Sequence, residues 1–304
     1  MKLVLANNQS DRFVNFHNEI QSDKKIYDYS GYDELLFTFD NSAANPASFL
    51  NTATGTYSYE YDGVYINGYL NTPDVALTVA TVLASNDVAF VNKELMNGLS
   101  LSKLSASAKL IVGGVSMPKT YGGFKKAILV SLDEEIKLSY PAILKRADAD
   151  RGIDNFKVKS ADEVREILAE VDDSTIWLLQ NFIPNNGFYL VSFYYGEPKY
   201  SIFRTLEERD DGNERKSHMY KPFGGANATL ININEAPESL IDVSKQAVEV
   251  MDRQFASVDS IYDEKSKKTY ILEVNYNPQM VTIETFKEVR RQAFSEAMNK
   301  LGKR

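Results

Sequence analysis

Hydrophobic and polar positions alternate in short blocks along the chain, and the period of the alternation changes repeatedly. The segments Lys2 to Ala6 and Glu34 to Phe39 have the composition of strands. Pro73 suits the first turn of a helix over Asp74 to Ala84, and the apolar run Val88 to Val91 follows as a strand. This pattern predicts an N-terminal lobe of the βαβ type.

Tyrosines are concentrated between Tyr57 and Tyr69. In a continuous strand, Tyr57, Tyr59 and Tyr61 would share one face, because side chains alternate across a sheet. Such a face is either a stacking platform for a ligand or a half-buried sheet surface. The enrichment of aromatic residues in strands favours the second interpretation.

The rest of the chain alternates in the same way, with no internal repeat. The predicted strands are Ala142 to Arg146, Phe156 to Lys159, Trp177 to Phe182, Tyr189 to Tyr195, Lys199 to Thr205, Ala256 to Tyr262 and Thr269 to Val274. The predicted helices are Leu101 to Val112, Asp162 to Val171, Glu238 to Phe255 and Phe286 to Leu301. A mixed α/β (α+β) chain of 304 residues is expected to form two or three lobes.

Composition excludes several classes of function. The net charge is -8 with a pI of about 5.0, and no basic run with interleaved aromatics offers a path for nucleic acid. The absence of cysteine excludes disulfides, thiolate zinc sites and cysteine nucleophiles. No stretch approaches the ~20 apolar residues of a membrane span, and the apolar start is too short for a signal peptide. The chain is therefore predicted to be cytoplasmic, with no nucleic-acid or membrane partner.

The segment from Ile271 to Pro278 carries the sharpest candidate for chemistry. Glu273 and Asn275 are two residues apart on a predicted strand and so face the same way. If the two last strands pair as a hairpin, Asp259 reaches the same place, and the three side chains offer the oxygen ligands that Mg²⁺ prefers. Taken alone, a Glu and an Asn on a strand are more typical of polar surface positions.

The ordered string of Asp259 followed by Ile271-Leu272-Glu273-Val274-Asn275-Tyr276-Asn277-Pro278 resembles the metal-binding end of the ATP-grasp superfamily. It is most similar to the α-L-glutamate ligase-like (ribosomal-protein glutamate ligase-like) carboxylate-amine ligases. The resemblance implies an ATP-grasp fold of two α+β subdomains preceded by a Rossmann-like N-terminal domain. The implied boundaries are 1–98 for the N-terminal domain, 99–184 for the small (lid) subdomain and 185–304 for the large subdomain. It also implies that Asp259, Glu273 and Asn275 bind one or two Mg²⁺ ions, and that Mn²⁺ can replace Mg²⁺.

Further segments from about Ser100 to Gly302 extend the resemblance. The run from Ser100 to Thr120 resembles the family segment with a phosphate-facing lysine, which would be Lys103. The run from Tyr140 to Val158 resembles the strand and phosphate-covering loop, with Lys145 and Gly152 at nucleotide positions. Two lysines suit the charge of ATP phosphates.

Adenine is implied to bind at a hinge formed by Gln180, Asn181, Phe182 and Ile183, mainly through backbone groups, which tolerate an Asn in place of the usual Glu. Arg204 and Arg215 match two arginines that face phosphate or the acyl-phosphate intermediate. A solvated loop charge is the alternative for Arg215.

The chain departs from the family pattern at three places. Tyr189-Leu190-Val191 stands where Asp-Ile-Arg is common, Ser217 stands at an Asn position and Gln279 at a Gly position. The two histidines, His17 and His218, have no triad partner at a suitable spacing.

The resemblance implies a ligase that phosphorylates a carboxylate with ATP and passes the acyl group to an amine, on an amino acid, a peptide or a protein. A peptide macrocyclase of the same fold is the nearest alternative. The missing Asp-Ile-Arg motivates a non-catalytic nucleotide-binding protein, and a partner scaffold would need only the fold. The oligomeric state and the identity of both substrates are left open.

Overall fold

The computed structural model describes residues 1–6, 11–21, 26–149, 154–205, 228–278 and 286–302. Its strands are β1 (Lys2–Leu5), β2 (Asp28–Ser30), β3 (Leu35–Phe39), β4 (Ala47–Asn51), β5 (Thr56–Tyr57), β6 (Gly63–Ile66), β7 (Ala89–Val91), β8 (Thr120–Phe124), β9 (Ala142–Arg146), β10 (Asn155–Val158), β11 (Ile176–Asn181), β12 (Gly187–Tyr194), β13 (Glu197–Thr205), β14 (Ala228–Ile231), β15 (Phe255–Asp263) and β16 (Lys268–Asn275). Its α-helices are α1 (Asp11–Ile20), α2 (Pro73–Ser85), α3 (Glu94–Asn97), α4 (Lys103–Val112), α5 (Lys125–Ser131), α6 (Ala161–Ala169), α7 (Glu238–Met251) and α8 (Lys287–Lys300).

A parallel sheet in the order β2-β1-β6-β7 forms the core of the N-terminal part. Parallel strands covered on both faces are apolar throughout, and Leu3, Val4 and Leu5 of β1 are fully buried. The helix α2 begins at Pro73, as the sequence predicts. Its buried face packs on one side of this sheet.

The tyrosine-rich segment is not one strand, so the prediction of a shared tyrosine face is wrong. The strand β5 ends at Tyr57, and residues 58–60 form a short 3-10 turn in which the backbone N–H of Tyr57 donates to Glu60. Tyr57 and Tyr59 stack with their rings 5.4 Å apart and remain exposed, whereas Tyr61 is buried. The turn interrupts the period-2 alternation on which the prediction depended.

The middle of the chain forms an antiparallel sheet in the order β10-β9-β11-β8. Its core surrounds Trp177 of β11, which is fully buried, with α5 and α6 contributing apolar side chains. Ser160 caps α6 by accepting from the backbone N–H of Glu163, at 3.2 Å, as the sequence predicts. This sheet carries Lys145 and the residues from Gln180 onward to the edge of the candidate site.

The C-terminal part forms a five-stranded antiparallel sheet in the order β14-β13-β12-β15-β16. One face of the sheet packs on α7 through Val191, Val258 and Val274. The opposite face packs on α8 and on the N-terminal sheet, through side chains that include Leu190 and Phe255. Side chains alternate between these two cores along each strand.

The strand β8 and the helix α5 were not predicted from the sequence. In β8, Gly122 and Gly123 give no hydrophobic alternation, although the backbone pairs with β11 from Thr120 to Phe124. Gly122 is needed for packing, because a Cβ there would lie 2.5 Å from Leu104 Cδ1 and 2.6 Å from Leu178 Cδ2. Glycine thus allows α4 to approach the sheet closely.

We expect Gly122→Ala to lower the free energy of unfolding by at least about 1 kcal/mol, because the added methyl overpacks the contact with Leu104 and Leu178. The adjacent Gly123→Ala is the matched control, since its Cβ would only meet Ala127 at an ordinary 3.5 Å. Urea unfolding of both variants checks this. Equal stability of the two variants would contradict the packing argument.

Within the described ranges, no helix combines the length and the apolar character required to cross a membrane.

Candidate active site

The candidate metal residues lie on one hairpin. The strands β15 and β16 pair antiparallel, with Asp259 opposite Glu273 and Ser257 opposite Asn275. The sequence-based expectation that the two last strands pair is therefore confirmed. The pairing brings both carboxylates and the amide to the same end of the hairpin.

A β-bulge on β16 sets the direction of these side chains. The register shifts so that Ser260 pairs with Ile271 while Asp259 pairs with Glu273, which leaves Leu272 as an extra residue. Ile271 and Val274 both point into the core under α7, three residues apart. A regular strand would instead place Ile271 and Glu273 on one face. Because of the bulge, Glu273 and Asn275 remain partly exposed while Ile271 and Val274 are buried.

Asp259 lies in an environment that disfavours its charge. Burial raises the pKa of Asp259 to about 7, and the negative charge of the nearby Glu273 raises it further. The positive charges of Arg204, Lys103 and Lys145 lower this pKa, but by less. Its Oδ1 atom is buried and accepts no hydrogen bond from the described residues. A carboxylate oxygen without a donor, beside a second carboxylate, is a ready position for a cation.

Lys103 is the first residue of α4 and joins three segments. Its backbone N–H donates to Ala147 O at 3.1 Å, and its ammonium donates to Ala149 O, both just beyond β9. The ammonium also lies 3.7 Å from Glu273 Oε1. A cationic side chain is therefore held between the end of β9 and the carboxylate of β16.

Lys145 of β9 projects toward the same charges. Its Nζ donates to Gln180 Oε1 at 3.2 Å, and Gln180 Nε2 in turn donates to Thr120 Oγ1 at 2.8 Å. Burial lowers the pKa of Lys145 to about 8, and the positive charge of Lys103 lowers it as well. The negative charges of Glu273 and Asp259 act in the opposite direction and raise this pKa. The chain of hydrogen bonds orients the amide of Gln180, and with it the ammonium of Lys145.

Arg204 lies on β13, two strands away from β15 in the same sheet. Phe188 of β12 is its cross-strand neighbour, and the Arg204 guanidinium carbon lies 5.9 Å from the Phe188 ring centre. Burial lowers the pKa of Arg204, and the charge of Asp259 opposes that shift. Three cationic side chains and two carboxylates thus interact at one point where the two sheets meet.

A cleft with about 480 Å³ of empty space, partly open to solvent, lies beside this charge cluster. Gln180, Asn181, Phe182 and Ile183 line it from the end of β11, which we call the hinge segment. Ile261 and Leu272 of the hairpin form the opposite wall. The predicted hinge residues therefore lie together, between the two sheets.

The hinge segment is held by its backbone and by one aromatic contact. The Asn181 N–H donates to Lys119 O at 2.9 Å, and the Lys157 ammonium lies 4.2 Å from the centre of the Phe182 ring. The Oδ1 atoms of Asn155 and Asn181 are buried and accept no hydrogen bond from the described residues. These two acceptors are available to a ligand in the cleft.

Several residues of this site were missed from the sequence. They are Thr120, Asn155, Lys157, Ile261 and Leu272. Thr120 lies on β8, which was not predicted because its glycines interrupt the hydrophobic pattern. The sequence pattern suggests that Leu272 is a core residue, but the bulge turns it toward the cleft. Only Asn155 carried a usable signal, since it begins the strand that pairs with Lys145.

Some predicted positions lie outside the described residues. These are Gly152, Arg215, Ser217, His218 and Gln279. His17 is described, and it is buried among aromatic rings with its Nδ1 atom 2.5 Å from Tyr27 OH. Burial lowers the pKa of His17 to about 3, so this histidine is neutral at physiological pH.

The donor set fits a hard divalent cation only in part. No group of three or more His, Cys, Asp or Glu side chains suited to a metal occurs in the described ranges. Asp259, Glu273 and Asn275 supply two carboxylates and one amide. Mg²⁺ requires six oxygens and usually keeps several from water and phosphates. The residues therefore fit a Mg²⁺ ion that a phosphate ligand helps to hold.

The sequence profile of the RimK-like ATP-grasp domain matches residues 101–293, more than half of the chain. No curated protein sequence matches significantly.

Solved structures align over nearly the whole chain. D-alanine–D-alanine ligase from Bacillus anthracis is 16% identical, with 99% of this chain and 97% of that chain covered and a TM-score of 0.63. The ATP-grasp ligase PsnB, complexed with a precursor variant, Mg and ADP, is 11% identical, with 99% and 98% covered and a TM-score of 0.67. The D-cycloserine synthetase DcsG is 12% identical, with 98% and 100% covered and a TM-score of 0.61. At these identities the likeness establishes the fold, which confirms the predicted ATP-grasp architecture. With the profile match, it places this chain in the RimK-like ATP-grasp family of ATP-dependent, C–N bond-forming ligases.

Proposed function

We propose that this ligase activates a carboxylate as an acyl phosphate, with ATP and Mg²⁺, and transfers the acyl group to the amine of an amino acid, a peptide or a protein. The observation that carries the proposal is the meeting of Lys103, Lys145 and Arg204 with Asp259 and Glu273 beside an open cleft. Three cations around two carboxylates suit a polyphosphate and its metal ion.

Each part of the site has a role in this proposal. The hinge segment and the buried acceptors of Asn155 and Asn181 would hold the adenine, whose exocyclic amine is a donor. Lys103 and Lys145 would bind the phosphates. Asp259, Glu273 and Asn275 would hold Mg²⁺, which would neutralise phosphate charge when bound. We assign residues 1–98 to the N-terminal domain, residues 99–184 to the small ATP-grasp subdomain and residues 185–304 to the large one.

The proposed chemistry requires no protein nucleophile. A carboxylate oxygen of the substrate attacks the γ-phosphorus, the bond to the bridging oxygen breaks, and ADP leaves. The amine nitrogen then attacks the acyl carbon, phosphate leaves, and the nitrogen loses a proton. Arg204 would stabilise the negative charge that forms on the acyl phosphate and on the tetrahedral intermediate. The chain's residues thereby act by positioning and by charge.

Release of ADP tests the proposal. We expect release that requires Mg²⁺, a carboxylate and an amine together, with a panel of amino acids and peptides as candidates. The panel is motivated by the neighbouring structures, which include D-alanine–D-alanine ligase and PsnB with a precursor peptide. Binding of Mg²⁺ and ATP without turnover for any pair would refute it.

Mass spectrometry of cell extract incubated with the protein, ATP and Mg²⁺ would identify the substrate. Joining two molecules gives a product with their summed mass less one water. A macrocyclase would instead produce a peptide that has lost one water without gaining a partner. The two outcomes separate the proposal from its nearest alternative.

The lowered pKa of Lys145 leads to a prediction for pH. An anion binds best to the ammonium form, so affinity for Mg-free ADP should fall as the pH rises through about 8, by up to about tenfold per unit. In Lys145→Arg the charge persists, and the curve should be flat in the same range. Isothermal titration between pH 7 and pH 9.5 measures both curves. Parallel curves would show that Lys145 does not contact the phosphates.

A further inference from the structure

A buried ion pair connects the N-terminal part of the chain to the hairpin of the active site. Arg253 Nε donates to Glu94 Oε1 at 2.9 Å, with the Arg253 side chain 3% exposed and that of Glu94 not exposed. Tyr69 OH donates to the same carboxylate oxygen. The pair joins α3 to the turn that precedes β15, across 159 positions of the sequence.

The other end of the Arg253 guanidinium reaches the strand of the proposed metal ligands. Arg253 Nη1 donates to the carbonyl oxygen of Val274, which lies between Glu273 and Asn275. Among the strands of the described residues, β16 is the outer one of its sheet, so its outward carbonyls have no described strand to pair with. The N–H donors of a guanidinium point in several fixed directions, which lets one arginine bind a carboxylate through Nε and this carbonyl through Nη1.

Neighbouring contacts hold the same turn and the same strand end against the N-terminal part. Gln254 Oε1 accepts from the backbone N–H groups of Asn92 and Lys93, at 2.7 and 2.9 Å. The rings of Tyr69 and Tyr276 lie 4.5 Å apart. Tyr69 therefore contacts both the Glu94 carboxylate and the residue that follows Asn275. The end of β16 is therefore in contact with residues of the N-terminal part of the chain.

We propose that Arg253, oriented by Glu94, is a positioning residue that holds the backbone between Glu273 and Asn275 so that both side chains are presented to the metal ion. The inference depends on the proposed function, since that proposal assigns the ligands. The bulge at Leu272 interrupts the ladder just before Glu273, so the local backbone requires another constraint. Arg253 supplies it, and the N-terminal part of the chain becomes part of the metal site.

A purely stabilising role is the alternative. Buried ion pairs are weak contributors to stability, because the loss of hydration offsets the attraction, and apolar residues of similar size often replace them without cost. A pair kept only for packing should therefore tolerate joint replacement. A pair that also holds Val274 should not, because its replacement removes the donor to the carbonyl.

The test measures ion binding separately from folding and from nucleotide binding. Mn²⁺ binding to the ADP-bound protein is titrated by electron paramagnetic resonance, and ADP affinity is measured without metal. Two variants are compared with the wild type. Glu94→Gln with Arg253→Met removes both charges, and Arg253→Lys keeps the buried charge but lacks the fork. Asn97→Ala is the matched control, since the 2.6 Å bond from Asn97 to Asp252 joins the same two segments without touching β16.

We expect both Arg253 variants to bind Mn²⁺ about tenfold more weakly or worse, as is typical when the partner of a metal ligand is lost, with metal-free ADP affinity unchanged. Asn97→Ala should bind Mn²⁺ as the wild type does. Wild-type Mn²⁺ affinity in Arg253→Lys or in a folded double variant would overturn the inference. So would an equal loss of metal-free ADP affinity, which would indicate general disruption. If Glu273→Ala also retains Mn²⁺ affinity, the proposed metal site itself is wrong, and the two failures are thereby distinguished.

Discussion

Glu273→Ala is expected to lower the rate of Mg²⁺-dependent ADP release by at least about 100-fold, because it removes one of the two carboxylates that the described residues offer to the proposed metal site. This decrease in rate should be larger than the decrease caused by removing any single hydrogen bond. Without Glu273, the Asp259 carboxylate and the Asn275 amide are the remaining protein ligands. The Lys103 ammonium also loses its partner at 3.7 Å, although it still donates to Ala149 O. Both changes weaken the binding of metal and phosphate together.

Comparison variants separate ligation from folding. Glu264→Ala alters the exposed turn of the same hairpin, where Glu264 pairs only with Lys267 among the charged groups described, and should leave the rate unchanged. Glu273→Gln keeps the shape and one oxygen, so it should fall between wild type and alanine. The measurement is initial ADP release at increasing Mg²⁺ with the substrates found in extract. Full activity of a folded Glu273→Ala would remove this residue from the site.

Arg204→Met is expected to reduce kcat by about 10²- to 10³-fold while the KM for ATP changes little. The reason is that, in the proposed mechanism, a guanidinium whose charge interacts with Asp259 would stabilise charge that appears only as the acyl phosphate and the tetrahedral intermediate form. Methionine preserves most of the buried volume against Phe188 but carries no charge. Ground-state binding of ATP, which we propose to depend on the hinge segment and the lysines, should therefore persist.

The matched control for Arg204 is Arg291→Met, which removes an arginine from the exposed side of α8, where it lies 3.6 Å from Glu288. Its kcat should equal that of the wild type. Arg204→Lys restores charge but not the planar fork and should recover part of the rate. Steady-state kinetics and pre-steady-state ADP release measure the effect. A rise in KM with kcat unchanged would assign Arg204 to substrate binding instead.

Much of the fold could be predicted because local patterns agreed with the tertiary structure. The helix of Pro73 and the strand of Trp177 were predicted within a residue or two of their observed bounds. The predictions of strands failed where the local sequence pattern gave no signal or a misleading one. Gly122 and Gly123 concealed β8, and the turn after Tyr57 ended a strand that the tyrosine spacing had extended.

The sequence by itself determined which residue types are proposed to carry the chemistry. Asp259, Glu273 and Asn275 stand within two strong strand patterns, and alternation alone favoured a shared direction for the last two. The absence of cysteine and of basic runs excluded other chemistries. These conclusions depend on composition and on short-range geometry, which a linear pattern contains.

Only the tertiary structure decided how the charges meet. The bulge at Leu272 appears in no hydrophobic pattern, yet it places Leu272 in the lining of the cleft and leaves Glu273 partly exposed while Val274 stays in the core. The approach of Lys103 to Glu273 and the ion pair of Arg253 with Glu94 join positions more than 150 residues apart. Such contacts depend on how sheets pack and on which buried charges find partners, and these are properties of the whole chain rather than of a local segment.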